Sequence, residues 1–164
     1  MDRVGQIFYA ELVAISADAL AIRPPTVSPA TGAALATAGV TALQSLRDQG
    51  RLQAGQRVLI VGASGGVGAL AVAVATRLGA EVTGICSAGA TALVTSLGAA
   101  HVRDRKAADV LGGDTRFHVI FDAAAAHSWF AIRHLLEPGG TYVSTLPGPG
   151  VFAAVALAPL EDGF

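Results

Sequence analysis

Four closely spaced glycines are the residues whose spacing most clearly indicates chemistry in this chain. Gly62, Gly65 and Gly68 have the spacing G-x-x-G-x-x-G, and Gly66 adds a fourth. Glycines at such intervals let a chain turn sharply and let its backbone come close to a phosphate group. The chemistry that they indicate is the binding of a dinucleotide pyrophosphate. The alternative is a glycine-rich turn that only packs a helix tightly.

The segments on either side of the glycines are those that a phosphate-binding turn requires. RVLIVG, at 57–62, predicts a buried strand, and the apolar ALAVAVATRLG that follows the turn predicts a helix. A helix that begins there directs unpaired N–H groups and the positive end of its dipole toward the phosphate. This context favours dinucleotide binding over tight packing alone.

The composition is that of one folded domain with a core of small side chains. The chain has 164 residues, of which 52% are hydrophobic and 14% charged, and this excludes an intrinsically disordered chain. A net charge of −1 without a basic block argues against a nucleic-acid surface. The uncharged run 58–75 is interrupted by glycines, so we interpret it as a strand and a helix rather than a membrane span.

The use of cysteine and the N-terminal residues indicate the compartment. The single cysteine, Cys86, excludes an internal disulfide and a multi-cysteine zinc site. The opening residues have no long apolar run of the kind that signal peptides carry. We therefore expect a cytoplasmic protein.

From residue 57 onward, strand and helix patterns alternate, which predicts an α/β fold with a doubly wound parallel sheet. The simplest strand order is 3-2-1-4-5, with a sixth strand missing or atypical. A further helix over 29–49 precedes this pattern, with Ser28 as its N-cap, Pro29 in its first turn and Gly50 at its end. The predicted strands are 57–62, 81–86, 100–104, 117–122 and 140–146, and the predicted helices after the first are 66–78, 89–97, 106–111 and 125–136.

Several motifs in the same order resemble one family. The chain resembles the medium-chain dehydrogenase/reductase superfamily, in its zinc-independent quinone oxidoreductase (zeta-crystallin-like) branch. Enoyl reductase domains of polyketide synthases are close relatives of that branch. The resemblance extends roughly over 5–146 and rests on YAE (9–11), AGVTALQSL (38–46), LQAGQRVLI (52–60), GASGGVG (62–68), LGA (97–99) and EPGG (137–140).

This resemblance implies a domain organisation. Residues 1–27 would be a remnant of a GroES-like catalytic domain, 28–150 a dinucleotide-binding Rossmann domain, and 151–164 an apolar C-terminal tail. Most of the catalytic domain of the family has no counterpart here. The expectation is therefore either a fragment of a larger protein or a naturally reduced member of the family.

The end of the second predicted strand bears on the choice of nicotinamide cofactor. NAD-selective folds place an acidic residue there to hold the ribose 2′-hydroxyl, but 83–87 reads TGICS and the next acidic residue is Asp104. A 2′-phosphate would not be repelled, and Ser87 could donate a hydrogen bond to it. Ser87 could equally cap a helix.

The resemblance adds two positions to this question. Where family members have a lysine this chain has Ala90, and where they have a tyrosine after the third strand it has Arg105. Arginine binds phosphate well, with two parallel hydrogen bonds, and Lys106 lies beside it. These two residues could instead belong to a solvated turn. The balance favours NADPH over NADH.

The remaining candidate residues follow from the resemblance. Thr41 matches a threonine near the nicotinamide and could also be a helix-packing residue, and Tyr9 is a candidate proton donor or pocket wall. Asp122 and Ala123 follow the fourth strand, beside the expected cofactor, and Ser144 to Leu146 follow the fifth. The complete set of predicted cofactor-binding residues is Thr41, Gly62, Ser64, Gly65, Gly66, Val67, Gly68, Ser87, Arg105, Asp122, Ala123, Ser144 and Leu146.

We expect no metal site. Zinc-dependent relatives use a cysteine near the start of the first helix, but 36–39 reads ATAG, and none of the four histidines forms an H-x-x-x-H pair. A serine–histidine–aspartate triad drawn from Ser64, His127 and Asp122 has no support in the spacing.

The leading functional hypothesis is an NADPH-dependent oxidoreductase that reduces a quinone or an α,β-unsaturated carbonyl. The alternatives are a non-catalytic NADP(H)-binding or scaffold module that acts with a partner, and an enoyl reductase portion of a polyketide synthase. A homodimer through the open sheet edge, beside the apolar tail 151–160, is also expected.

Overall fold

A parallel five-stranded sheet forms the centre of the protein. The computed structural model describes residues 14–145, and in that part the strand order is β3-β2-β1-β4-β5, as the sequence predicts. The helices and strands are α1 (Pro29–Leu43), β1 (Arg57–Val61), α2 (Gly66–Arg77), β2 (Glu81–Cys86), α3 (Thr91–Ser96), β3 (His101–Asp104), β4 (Phe117–Asp122), α4 (Trp129–Ile132) and β5 (Leu136–Ser144), with short 3-10 turns at Ala17–Ala19, Ala88–Ala90 and Arg133–Leu135.

Both faces of the sheet carry a hydrophobic core. Successive side chains of β1 alternate between them, so that Val58 and Ile60 belong to one cluster and Leu59 and Val61 to the other. The first cluster includes Ala71 and residues of α1 and α3, and the second includes residues around α4. This is why the strands are apolar at consecutive positions, as is typical of a parallel sheet covered on both sides.

The first helix begins and ends where the sequence predicts. The Ser28 hydroxyl accepts the backbone N–H of Thr31 at 3.1 Å, and Pro29 occupies the first turn. After Leu43 the helix widens into a π-helical segment over Gln44–Gln49. It ends at Gly50, whose N–H donates to the carbonyl of Ser45 at 2.8 Å.

The predicted helix over 106–111 is wrong, because these residues form turns. The Asp104 carboxylate accepts the N–H of Lys106 at 3.1 Å, and the Gly112 N–H donates to the carbonyl of Asp109 at 2.6 Å. Short bonds of this kind compete with a helix for the same backbone groups. Gly113, with a positive φ of 91°, turns the chain toward β4.

The predicted helix over 125–136 is too long, and the fifth strand begins before residue 140. Helix α4 begins only at Trp129, capped by the Ser128 hydroxyl, since the preceding backbone N–H groups bond to the Asp122 carboxylate instead. Strand β5 already begins at Leu136, with an irregular register against β4 up to Thr141. Gly139, with a φ of 77°, lies inside this irregular stretch.

Some expectations concern residues outside 14–145. Tyr9, Leu146 and the apolar tail 151–164 lie there, and so does any sixth strand that would follow β5. The proposed division into 1–27, 28–150 and 151–164 therefore stays a prediction.

Candidate functional site

The carboxyl ends of the parallel strands finish level with one another. The register pairs Cys86 with Asp104, Val61 with Asp122, and Asp122 with Ser144. Loops that follow these residues therefore meet at one edge of the sheet. The strand order reverses between β1 and β4, and in open α/β sheets ligands bind at that switch point.

A cleft of about 580 Å³ opens at this edge. Its walls come from the loops after four neighbouring strands, β3, β2, β1 and β4, and from one residue of α1. It contains most of the predicted cofactor residues. The lining residues are Ala38, Val61, Gly62, Ser64, Gly65, Gly66, Val67, Gly68, Ile85, Cys86, Ser87, Arg105, Ala123, Ala124, Ala126 and His127.

Different structural constraints explain why glycine occupies each position of the turn. Gly62 has a positive φ of 76°, and a Cβ on it would lie 2.8 Å from the Cβ of Ala124. A Cβ on Gly68 would lie 2.0 Å from the carbonyl oxygen of Gly62, so this glycine lets α2 approach β1 closely. A Cβ on Gly66 would meet nothing within 4 Å. Packing therefore accounts for Gly62 and Gly68 but not for Gly66.

The N-terminus of α2 faces the cleft. Its N-cap is Gly65, which has no side chain to bond the first helical N–H groups, and Gly66, Val67 and Gly68 all line the cleft. The first N–H groups of a helix have no partner within the helix, and the dipole adds positive charge there. This is a surface suited to a phosphate group.

The β2 and β3 ends of the cleft carry two polar side chains that remain free to bind. The Ser87 hydroxyl makes no capping hydrogen bond to the following 3-10 turn. Arg105 is exposed, and its guanidinium makes no ion pair with any residue among 14–145. Its backbone N–H donates to the carbonyl of Cys86 at 2.7 Å, which places Arg105 beside the end of β2. Lys106 is exposed but does not line the cleft.

Cys86 lies between these residues and the glycine turn. It is buried at the end of β2 and lines the cleft. Burial raises the pKa of its thiol, and a hydrogen bond with Thr91 opposes this only in part. The group is therefore a neutral thiol at physiological pH.

At the β4 end, Asp122 is fully buried and does not line the cleft. Its carboxylate accepts the backbone N–H groups of Ala124 at 3.1 Å, Ala126 at 3.3 Å and His127 at 3.3 Å. The hydroxyl of Tyr142 donates to it at 3.4 Å. Burial raises the pKa of Tyr142, and the negative charge of Asp122 raises it further.

Besides Asp122, two predicted residues among 14–145 do not line the cleft. The Thr41 hydroxyl donates to the carbonyl of Thr37 in its own helix at 2.8 Å, and the lining residue of α1 is Ala38. Ser144 stands at the end of β5, beyond the cleft wall. The cofactor roles of all the predicted site residues stay predictions, whether or not the residues line the cleft.

Sequence reasoning missed several lining residues, His127 and Ala38 among them. The sequence pattern predicts a helix at His127, and the loop held by Asp122 brings it to the cleft instead. Ala38 carries no chemical signal, since its position depends on how α1 packs. The residue that could have been found is Cys86, because it ends the second strand.

A second cleft, of about 750 Å³, lies at the amino ends of the strands. Its lining has three arginines and three carboxylates, and one pair of these, Arg57 and Glu137, forms an ion pair at 2.6 Å. It lies opposite the glycine turn. We therefore take the carboxyl-end cleft as the candidate site.

Two further properties concern only residues 14–145. Residues 14–145 contain no group of three or more His, Cys, Asp or Glu side chains that could hold a metal ion. None of their helices combines the length and apolarity that a membrane crossing requires.

Fold and cleft together define an α/β domain of the dinucleotide-binding class. Among known proteins, the chain is 35% identical over 144 residues to the mitochondrial NAD(P)H oxidoreductase RTN4IP1 of Bos taurus, covering 82% of this chain and 36% of that protein. It is 33% identical over 147 residues to a chloroplastic quinone-oxidoreductase homolog of Spinacia oleracea, covering 84% and 45%. No family model matches the chain.

A solved structure that is similar to this chain is also a reductase. The CurK enoyl reductase superposes on 76% of this chain and 39% of its own, with a TM-score of 0.68 and 27% identity. The chain belongs to the medium-chain dehydrogenase/reductase superfamily, with quinone oxidoreductases among its homologues, and it matches their dinucleotide-binding part. It spans less than half the length of these relatives.

Proposed function

We propose that this chain binds NADPH and forms the cofactor-binding part of an oxidoreductase that reduces a quinone or an α,β-unsaturated carbonyl. The observation that carries this proposal is the cleft at the switch point of the sheet, with the N-terminus of α2 at its centre. The relatives are named as NAD(P)H and quinone oxidoreductases, which supports a nicotinamide cofactor and a small-molecule substrate.

The residues of the cleft fit a dinucleotide. At Gly66 the missing side chain leaves open space, so a pyrophosphate could approach the backbone N–H groups of the first turn of α2. Ser64 adds a hydroxyl beside this turn. Glycine at position 66 is then explained by the ligand and not by the fold.

The part of the cleft that would hold the adenosine half of the dinucleotide favours a 2′-phosphate. Ser87 and Arg105 line the cleft after β2 and β3, and neither bonds another residue there through its side chain. NAD-selective folds have an acidic residue at the end of the second strand, whereas β2 ends here at Cys86, which carries no carboxylate. A guanidinium that faces a cleft with no acidic lining residue attracts an anion.

When bound, the cofactor supplies hydride transfer, and the residues of this chain bind and orient it. The α2 N-terminus holds the pyrophosphate, and Arg105 with Ser87 holds the 2′-phosphate. The loop after β4 forms the wall on the other side of the glycine turn. The substrate would bind beyond that wall.

Titration of the purified chain with NADPH and with NADH tests this proposal. Arg105→Ala should weaken NADPH binding by about 10- to 100-fold, the value of one or two charged hydrogen bonds, and leave NADH within about two-fold. Lys106→Ala is the matched control, since Lys106 is adjacent and exposed but lies outside the cleft. Equal losses for both cofactors would exclude Arg105 as the phosphate ligand. A wild-type chain that binds neither cofactor would overturn the proposal.

A second candidate is an enoyl reductase portion of a polyketide synthase, favoured by the similarity to the CurK enoyl reductase. NADPH oxidation with a quinone and with an enoyl thioester as competing substrates separates the two reactions. Binding of NADPH without turnover of either substrate would support the third hypothesis, a non-catalytic NADP(H)-binding or scaffold module that acts with a partner.

Self-association through the sheet edge is part of the proposal. Strand β5 pairs with β4 on one side and is the last strand of the sheet in residues 14–145. An edge strand has backbone groups that a second strand can pair with. Sedimentation equilibrium would detect the dimer, and a monomer at all concentrations would exclude it.

A further inference from the structure

We propose that His127 is a cofactor-binding residue that hydrogen-bonds the second ribose-phosphate of the dinucleotide, the one attached to nicotinamide, and that Asp122 is the residue that positions it. This inference rests on the proposed function. It adds a polar contact to a part of the site that otherwise consists of alanines.

The strand order places His127 on the appropriate side of the pyrophosphate. Across the carboxyl edge, Arg105 follows β3, Ser87 follows β2, the glycine turn follows β1, and His127 follows β4. If the 2′-phosphate lies at Arg105 and the pyrophosphate at the N-terminus of α2, the rest of an extended dinucleotide continues over β4. His127 lines the cleft there.

Among the cleft residues of the loop after β4, His127 has the one side chain that can hydrogen-bond an extended ligand. The other cleft residues after β4 are Ala123, Ala124 and Ala126. Their methyl groups can make only apolar contacts, whereas an imidazole can donate to or accept from ribose and phosphate oxygens. The His127 side chain is half-buried and makes no hydrogen bond or ion pair to other residues in the described range.

The loop that carries His127 is held rigidly from beneath. The fully buried Asp122 carboxylate accepts three of its backbone N–H groups, including that of His127 at 3.3 Å. Ala123 is fixed to the sheet as well, because its N–H donates to the carbonyl of Val61 at 3.1 Å. On the cleft side, Ala124 packs against Gly62, where there is no room for a Cβ.

These contacts give Asp122 a role that differs from direct cofactor binding. Its carboxylate is buried and accepts backbone N–H groups of the loop, which fixes the conformation of 124–127. The position of His127 therefore depends on a group that does not itself reach the cleft.

Three ligands that contain successively more of the dinucleotide test the His127 contact: 2′,5′-ADP, 2′-phospho-ADP-ribose and NADPH. His127→Ala should leave the Kd of 2′,5′-ADP within about two-fold and weaken the two longer ligands equally, by about three- to ten-fold, as expected for one hydrogen bond. His101→Ala is the matched control, since His101 is exposed at the opposite end of β3. All three Kd values should be unchanged in that variant.

Each other outcome overturns the proposal. A loss for 2′,5′-ADP as well would mean that His127 acts on the adenosine half or on folding, and a loss for NADPH alone would place it against the nicotinamide ring. No loss for any ligand would exclude the contact. If wild-type protein binds none of the three ligands, the proposed function fails, and the His127 contact that rests on it fails with it.

The positioning role has its own readout. Asp122→Asn should reduce the affinity for 2′-phospho-ADP-ribose but not for 2′,5′-ADP, and adding His127→Ala should then cause no further loss, because the imidazole is already misplaced. Asp114→Asn, an exposed aspartate away from the cleft, is the control. Additive losses in the double variant would show that Asp122 does not act through His127. Should Asp122→Asn fail to fold, the His127→Ala ligand series decides the proposal alone.

Discussion

At the scale of single residues, glycines of one motif serve different purposes. Gly68 is required because its neighbour across the turn, the carbonyl of Gly62, leaves no space for a methyl group. Gly66 has no such neighbour and lies exposed at the start of α2. Packing explains Gly68, whereas the proposed pyrophosphate would explain Gly66.

Gly66→Ala should therefore separate binding from stability. We expect the thermal unfolding midpoint to stay the same or rise slightly, because alanine is accommodated in the first turn of a helix. NADPH affinity should fall by about ten-fold or more, equivalent to about 1.4 kcal/mol, because the methyl group obstructs the pyrophosphate. Isothermal titration and thermal unfolding of the same sample measure both quantities.

Gly89→Ala is the control for this change, since a Cβ there also meets nothing within 4 Å and the residue does not line the cleft. NADPH binding by Gly66→Ala that matches wild type would show that the pyrophosphate does not lie at this turn.

At the scale of elements, the site depends on how closely α2 lies against the sheet. The Gly65 N–H donates to the carbonyl of Gly62 at 2.9 Å, and Ala71, Val72 and Ala75 of α2 are fully buried. Small side chains and glycine let the helix start directly at the end of β1. Its N–H groups consequently reach the level of the strand ends.

Gly68→Ala should break this arrangement. The added Cβ would lie 2.0 Å from the Gly62 oxygen and 3.0 Å from the Ala63 Cα, both backbone atoms that cannot rotate away. We expect a loss of about 1 to 3 kcal/mol in the free energy of unfolding, as for other overpacked sites. Urea unfolding at equilibrium measures it.

Gly66→Ala, two residues earlier in the same helix, is the reference for this effect. A stability of Gly68→Ala equal to that of Gly66→Ala would mean that α2 does not contact the turn as described.

At the scale of elements the sequence also shows its limits. Strands 81–86 and 117–122 were predicted with the bounds that the structure has, because each is a short apolar run. The helix at 125–136 differs, because the DAAAAHSWF segment has high helix propensity, whereas the loop bonds to the Asp122 carboxylate, the positive φ of Ala125 (48°) and the Ser128 cap keep 123–127 out of the helix. Periodicity predicts which segments are regular, but not which distant side chain captures a backbone N–H.

At the scale of the whole molecule, the buried thiol of Cys86 and the half-buried phenol of Tyr142 connect stability to alkaline pH. Burial raises the pKa of both Cys86 and Tyr142 above the values in an unfolded chain. The folded state then holds a proton that the unfolded state has already lost, so the free energy of unfolding falls as pH rises through that interval. Below the ordinary thiol range of about 8.5 this contribution is fully present.

We therefore expect the free energy of unfolding to decrease from about pH 8.5 upward. The double variant Cys86→Ala/Tyr142→Phe should lose less stability between neutral and alkaline pH than the wild type does, although it begins from a lower value because it lacks the buried thiol and the Tyr142 hydroxyl. Urea titrations at pH 7 and at higher pH measure the difference. Parallel pH dependence in both proteins would show that neither group titrates with a raised pKa.

The sequence by itself determined the order of the strands, the glycine-rich turn at 62–68 and the resemblance to quinone oxidoreductases. These depend on local residue types, on the glycines at 62–68 and on apolar periodicity, which a chain carries before it folds. The tertiary structure decided which residues share the cleft: Arg105 and His127 are 22 positions apart in the sequence and meet because β3 and β4 end at the same edge of one sheet. It also decided the direction of the Asp122 carboxylate, since an aspartate at a strand end can face the cleft or the loop, and here the backbone N–H groups of Ala124, Ala126 and His127 in the loop bind it.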